Sequence, residues 1–338
     1  MQAIPEGPAA QRVDRTAFEA LVAAHRPVLL RGLATNWHAV RAARQGLEAC
    51  LRFWLERATD EPLDALLAHP REQGRLGWRP DLNGFSFVHE RKPLGPLLEA
   101  LWRYAQFAEP PALAVQSVDL RRCLPGFEAD HPMPLLDAGV APRLWLGNRA
   151  TVPAHFDSSY NLAVVVAGRR RFTLLPPQHI ENLYLGPLEK APTQAPVFLV
   201  DVLNPDFERF PRARPALVEA QQAVLEPGDA LFLPPLWVHA VESLDPALNG
   251  LVNYWWRPET APGAGADSPS AALRLAALTF RGLPAAERRD WQRLFALLAF
   301  EDADWSHIPT AQLGLLGALD ADTVHALREQ IRGLIPRR

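Results

Sequence analysis

Apolar residues recur along this chain in two rhythms. In 14–25, DRTAFEALVAAH, they fall three and four apart, which predicts a helix with Asp14 or Thr16 as its cap. The same spacing predicts helices over 47–70 and through PLGPLLEALWRYA (93–105). RPVLLRGLA (26–34) is instead a short continuous apolar run ended by Gly32, the pattern of a buried strand. NGFSFVHE (83–90) alternates after an Asn-Gly turn, as a strand does. Residues 1–12 carry neither rhythm and are expected to form a loose tail.

From ALAVQSVDL (112–120) onward the segments are short and β-favouring, with Pro, Gly or Asn between them. They are RLWLGN (143–148), NLAVVVAG (161–168), RRFTLLPP (170–177), QQAVLEPGDALFLPP (221–235), HAVESL (239–244) and GLVNYWW (250–256). So many strands without regular intervening helices predict a mainly β fold with flanking helices, an antiparallel sandwich or barrel rather than a Rossmann-like sheet. PETAPGAGADSP (258–269) reads as a linker, and only helices follow. Ser268 and Pro269 start AALRLAALTF, which stops before Gly282. Pro284 opens a second helix with Trp291, Leu294 and Leu298 on one face, and two more are expected near 310–317 and 321–333. These helices are too few for a core of their own, so their apolar faces are expected on the barrel or on a second subunit. The expected organisation is 1–110 packed on the barrel, 111–258 the barrel itself and 259–338 helical, with no internal repeat.

The composition changes this picture little. The 338 residues are 48% hydrophobic and 22% charged, an ordinary globular balance. A net charge of −3 supplies no global field for nucleic acid. Cys50 and Cys123 lack metal or redox spacing; one disulfide or two free thiols both fit, and free thiols in a reducing cytosol are preferred. The N-terminus has no signal-peptide core and no apolar span reaches ~18 residues, which predicts a cytoplasmic protein without a membrane span.

Candidate chemistry sits in VPAHFDSSYNLAVVVAGRRRFTLLPP (152–177). On a strand, residues two apart share a face, so His155 and Asp157 would converge at the barrel mouth while Phe156 points away. His-x-Asp alone is weak evidence, since a capped strand end with a solvated carboxylate reads the same. His239, in LEPGDALFLPPLWVHAVESL (225–244), opens another strand beside Trp237. A lone histidine in an apolar run is more often a satisfied core residue than a ligand. Two imidazoles and a carboxylate at one rim nevertheless make the facial triad of non-haem iron enzymes, which leaves three positions open.

The motifs VPAHFD, NLAVVVAGRRRFTLLPP, PGDALFLPPLWVHAVESL and VNYWW resemble the cupin-like JmjC family of Fe(II)- and 2-oxoglutarate-dependent oxygenases. That family includes the asparaginyl hydroxylase of hypoxia-inducible factor and the tRNA wybutosine hydroxylase. The likeness runs from RPVLLRGLATNWHAV (26–40) through VNYWWRP (252–258). It implies a double-stranded β-helix in which His155, Asp157 and His239 hold Fe(II). It also implies 2-oxoglutarate as cosubstrate, decarboxylated to succinate and CO2, with hydrogen abstraction from the substrate. The family's lysine for the far carboxylate, two residues after the hairpin glycine, is Arg170 here. Strand phase supports that choice separately, because Arg170 keeps step with Phe172 and Leu174 while Arg169 and Arg171 keep step with Thr173. The outer two arginines are therefore expected in solvent.

Asn161 and Asn253 match family positions that line the site and contact the cosubstrate, and Trp255 shares a face with Asn253. Amide pairing across strands with an aromatic core is the alternative. Two hydroxyl positions depart from the family: Val152 replaces a threonine, leaving the adjacent Thr151 as candidate, and Ala114 replaces a tyrosine two residues before Gln116. Gln116, Trp237 and Trp255, with Trp256, are expected around the substrate pocket. The resemblance of the C-terminal helices to dimerisation helices implies a homodimer. A protein or small-molecule substrate ranks ahead of nucleic acid. Two other readings stay open: a barrel that binds or senses without turnover, and a metal cupin that does not use 2-oxoglutarate, against which Asp157 argues.

Overall fold

Asp14 starts the first helix as its position suggests: the carboxylate accepts the Ala17 N–H at 2.8 Å, and α1 (Arg15–Ala23) follows. The structure, a computed structural model, describes residues 1–192, 195–257 and 269–334. The chain divides into two units, Met1–Trp256 and Arg257–Arg338.

The first unit opens with β1 (Gln2–Ala3), β2 (Val28–Leu30), α2 (His38–Arg44), α3 (Leu47–Leu55), β3 (Leu63–Ala68) and β4 (Phe87–Lys92). After α4 (Leu94–Tyr104) come β5 (Ala112–Asp119), the single-turn helices α5 (Leu120–Cys123) and α6 (Phe127–Asp130), and β6 (Pro142–Gly147). Next are β7 (Thr151–His155), β8 (Tyr160–Ala167) and β9 (Arg170–Leu175). Then α7 (Ala213–Val218) leads to β10 (Gln221–Leu225), β11 (Ala230–Leu233), β12 (Val238–Ser243) and β13 (Asn249–Trp256).

The strands form two sheets, ordered β1-β10-β9-β12-β7 and β2-β11-β8-β13-β6-β5-β3-β4. The fold is mainly β with flanking helices, and the facing sheets suit the jelly roll of a cupin. From Leu162 to Ala167 β8 is continuously apolar because both its faces are covered. Leu162, Val164 and Val166 pack with Phe18, Val40, Trp54 and Leu97 of the helical layer. Ala163 and Val165 face the space between the sheets, with Leu231, Leu251, Phe172, Leu174 and Val241. The other face of the five-stranded sheet, through Ala154, Leu175, Val238 and Ala240, is covered by Leu183, Phe198, Ala213 and Ala216. Gly168 makes the hairpin from β8 to β9 at φ +62, and a Cβ there would lie 2.4 Å from the Leu248 carbonyl oxygen. Only glycine fits, and the turn fixes the phase of Arg170.

Several expectations need correction. The helix over 47–70 ends at Leu55, and Leu63–Ala68 is a strand between β4 and β5. The helix already caps at Glu56, Pro62 keeps a helix from resuming before Leu63, and the leucine spacing beyond it fits either element until partner strands decide. The strand at 83–90 is displaced to Phe87–Lys92; its Gly84 turn pairs Trp78 with Phe85 instead. The tail is not wholly loose, because Gln2 and Ala3 lie parallel to Gln221 and Gln222 and Ile4 is buried in the barrel interior. That pairing closes the edge of β10. Cys50 and Cys123 are free and buried, which pushes their thiols up to about 11 and about 12.

In the second unit α8 (Pro269–Phe280) is followed by α9 (Ala285–Ala299), which Pro284 precedes, and by α10 (Ala321–Leu334). Residues 310–317 form two short 3-10 turns separated near Gly314, at φ +52, rather than a helix. The linker's 258–268, with the Ser268 cap, lies outside the described residues. No helix among the described residues is long and apolar enough to cross a membrane.

His131 ties the helical layer together. Its ring stacks on Phe127 at 3.9 Å, Nε2 accepts the Ala39 N–H at 2.9 Å, and Nδ1 donates to the Phe127 carbonyl. Only the neutral imidazole satisfies both bonds, and burial holds its pKa down to about 4. With the folded value below the ordinary 6.5, its stabilisation is complete above that pH and is lost as pH falls toward about 4. Urea unfolding of wild type and His131→Gln between pH 7 and 4 should differ in slope by one proton, about 1.4 kcal/mol per pH unit. Parallel slopes would contradict this.

Candidate active site

β7 and β12 are antiparallel neighbours in which His155 stands opposite His239. A bulge follows: Val152 to His155 on one strand spans Val241 to His239 on the other. The two imidazoles are 4.2 Å apart between ring centroids. Each ring is oriented by its own chain. His155 Nδ1 donates to the Pro153 carbonyl at 2.8 Å and His239 Nδ1 to the Trp237 carbonyl at 3.0 Å. Both Nε2 lone pairs are left for a metal, the arrangement typical of ligating histidines. Burial, reinforced by the neighbouring His239 ring, lowers the His155 pKa and keeps that imidazole neutral.

Asp157 lies beyond the end of β7, not on a strand as alternation suggested, yet it reaches the same place. Its Oδ2 is 3.8 Å from His239 Nε2. Asn161 Nδ2 and the Trp255 indole N–H both donate to that oxygen, at 3.2 and 3.1 Å. The Leu236 N–H donates to the Asp157 carbonyl at 2.9 Å, and Leu236 has a left-handed φ of +67. Phe156 points the other way, toward Phe198. Among the described residues no three His, Cys, Asp or Glu side chains are already gathered as a preformed metal cage. The triad's donor types, free Nε2 atoms and carboxylate held by two donors nonetheless fit a divalent iron centre.

Arg170 is 7% exposed and sits at the start of β9, opposite Ser243 and Leu225, on the face of Phe172 and Leu174. Its Nε is buried without an acceptor, no carboxylate among the described residues pairs with it, and burial alone brings its pKa down to about 10. Arg169 and Arg171 instead pair with Asp245 and Glu242 on the outside. A desolvated guanidinium without a counter-charge calls for an anion.

Asn253 Nδ2 donates to Asn161 Oδ1 at 2.6 Å, so the expected cross-strand amide pair exists and also feeds Asp157. Because Asp157 only accepts, Asn161 must donate to it. This fixes both amides and leaves Asn253 Oδ1 buried without a donor. Thr151 is not brought to the site. The bulge sets it opposite Glu242, on the face of the Arg171 ion pair, in the wall of a cavity of about 1020 Å³ that also holds Arg75, Trp78 and Arg209. Trp237 packs into the interior, and Trp256 belongs to an aromatic cluster with Tyr160, Phe232 and Phe18 rather than to the rim. Gln116 is half-buried on a β5 bulge, its amide turned back to the Ala114 carbonyl at 3.3 Å. Trp145 went unnoticed in the sequence, although RLWLGN alternates and sets Arg143, Trp145 and Gly147 on one face.

A family profile described as a cupin-like domain matches residues 14–261. The chain is 32% identical over 171 residues to the Jumonji C domain-containing protein 5 of Drosophila melanogaster, covering 50% of this chain and 39% of that protein. It is 36% identical over 115 residues to the lysine-specific demethylase JMJ31 of Arabidopsis thaliana, 33% of this chain and 20% of that one. It is 30% identical over 257 residues to the HSPB1-associated protein 1 homolog of Danio rerio, 68% of this chain and 51% of that one. The chain therefore spans about half or less of these relatives' own lengths. The profile covers most of the sequence and includes every residue of the candidate site, so the chain belongs to the cupin-like JmjC family of 2-oxoglutarate oxygenases.

Proposed function

We propose that this protein is an Fe(II)- and 2-oxoglutarate-dependent hydroxylase acting on a protein or small-molecule substrate. The observation that carries the reading is a buried arginine without a counter-charge inside a barrel whose mouth holds two Nε2 lone pairs and a carboxylate. His155, His239 and Asp157 would hold the iron, and Arg170 would pair with the far carboxylate of 2-oxoglutarate. Bound there, iron and cosubstrate would supply the oxidising power, with release of succinate and CO2. The chain's own contribution is positional. Backbone carbonyls hold both imidazoles in one tautomer, while Asn161 and Trp255 hold Asp157 Oδ2. The apolar interior of Phe172, Leu174, Val241 and Leu251 keeps water away from Arg170.

A second reading, a binding barrel without turnover, is favoured by the loss of hydroxyls at Val152 and Ala114. The relative named as a lysine demethylase adds methylated lysine to the candidate protein substrates. A net charge of −3 ranks nucleic acid lower, and two free thiols suit a reducing cytoplasm. A homodimer through the C-terminal helices would cover Leu273, Leu278, Leu294, Leu298 and Phe300, which are exposed.

Anaerobic addition of Fe(II) and 2-oxoglutarate should produce a charge-transfer absorption band, followed by succinate once air is admitted. Neither should arise with Asp157→Ala, and a wild type lacking both signals would overturn the proposal. Arg170→Met should unfold at higher denaturant than wild type without ligand, by about 1–4 kcal/mol, yet bind 2-oxoglutarate at least tenfold more weakly. Loss of stability without loss of affinity would contradict the assigned role. Light scattering should give twice the chain mass for residues 1–338, and a monomer would remove the dimer from the account.

A further inference from the structure

Arg170 is not alone in lacking a partner inside the barrel. Trp145 lies on β6, directly opposite Leu251 of β13, and packs against the interior cluster that contains Phe172, Val241 and Leu251. Its ring meets Trp255 edge-on at 6.0 Å. The side chain as a whole is half-buried, but its Nε1 is fully buried and has no acceptor. An indole N–H removed from water without an acceptor is costly, and it invites an explanation in terms of a ligand.

The surroundings say which kind. The two positions from which related enzymes offer hydroxyls to the cosubstrate hold Val152 and Ala114, and neither can donate. Val152 packs against the same interior cluster as Trp145. Ala114 stands opposite Gly147, two residues along the same face of β6, so small residues flank the indole there. The interior therefore contains a cationic donor, Arg170, and a neutral donor, Trp145, both unsatisfied, while the positions expected to help are empty of donors. An indole N–H only donates, and a carboxylate only accepts.

We propose that the Trp145 indole N–H, together with Arg170, holds the far carboxylate of 2-oxoglutarate, replacing the two missing hydroxyls. The inference rests on the cosubstrate reading above and adds the residue that completes the site. Arg170 supplies charge and Trp145 supplies direction, so the pair should select a keto acid with a distal carboxylate over one with a distal methyl group.

The test is equilibrium binding to Zn(II)-loaded full-length protein, which does not turn over. Isothermal titration compares 2-oxoglutarate with 2-oxopentanoate, which keeps the keto acid head and ends in a methyl group. Wild type should prefer 2-oxoglutarate strongly. Trp145→Phe should lose roughly tenfold or more of that preference while keeping Zn(II) and 2-oxopentanoate affinity within about twofold, the pattern of one lost hydrogen bond to a charged group. Equal weakening of both keto acids, or of neither, would make Trp145 a packing residue and overturn the inference alone. A wild type without preference would overturn the cosubstrate reading with it. Should the phenylalanine variant not fold, wild type labelled with 15N-tryptophan gives the answer. One indole N–H signal should move downfield with 2-oxoglutarate and not with 2-oxopentanoate, and the absence of any such signal counts against the proposal.

Discussion

The antiparallel pairing of β7 with β12, which sets His155 against His239, is the constraint on which the rest of the site depends. Neither strand could shift by one residue without turning its imidazole to the outer face, where Ala154 and Ala240 now pack against Phe198 and its neighbours. Apolar burial on both faces of the sheet therefore fixes the register, and the register fixes the chemistry. Asp157 joins from outside the strand and is held by hydrogen bonds rather than by alternation: its carbonyl to the Leu236 N–H and its carboxylate to Asn161 and Trp255.

The same apolar interior that secures the register makes every polar group within it conspicuous. Arg170, Trp145 and Asn253 each keep a buried atom without a partner. A core optimised only for stability would exclude such atoms or satisfy them. Under the proposed function, a bound ligand would complete the hydrogen bonding of these two donors and one acceptor. Stability and function are opposed here, and the opposition is concentrated in a few side chains.

Much of the barrel was legible in the sequence because its strands are apolar runs bounded by proline and glycine. The phase of Arg170 could be read from its step with Phe172 and Leu174. Other features depend on partners that a single sequence does not display. Leu63, Leu66 and Leu67 fit a helix as well as a strand, and only β4 and β5 decide between them. Gln2 and Ala3 carry no pattern of their own and are specified by the open edge of β10. Thr151 was a candidate only as the neighbour of Val152, and the bulge between Val152 and His155 turns it to the outside opposite Glu242 while Val152 faces the interior. Trp145 was passed over because an aromatic residue in an alternating strand looks like ordinary core; Trp54 and Trp78 also keep an unpartnered indole N–H, and Trp145 differs in packing against the interior cluster between the sheets.

The central claim is that His155, Asp157 and the distant His239 meet at one divalent cation. Anomalous diffraction from crystals grown with Mn(II) and 2-oxoglutarate addresses it directly. The account predicts a single strong peak bonded to His155 Nε2, His239 Nε2 and an Asp157 oxygen, at about 2.0–2.2 Å. A peak elsewhere, or no peak while these three residues stand apart, would contradict it.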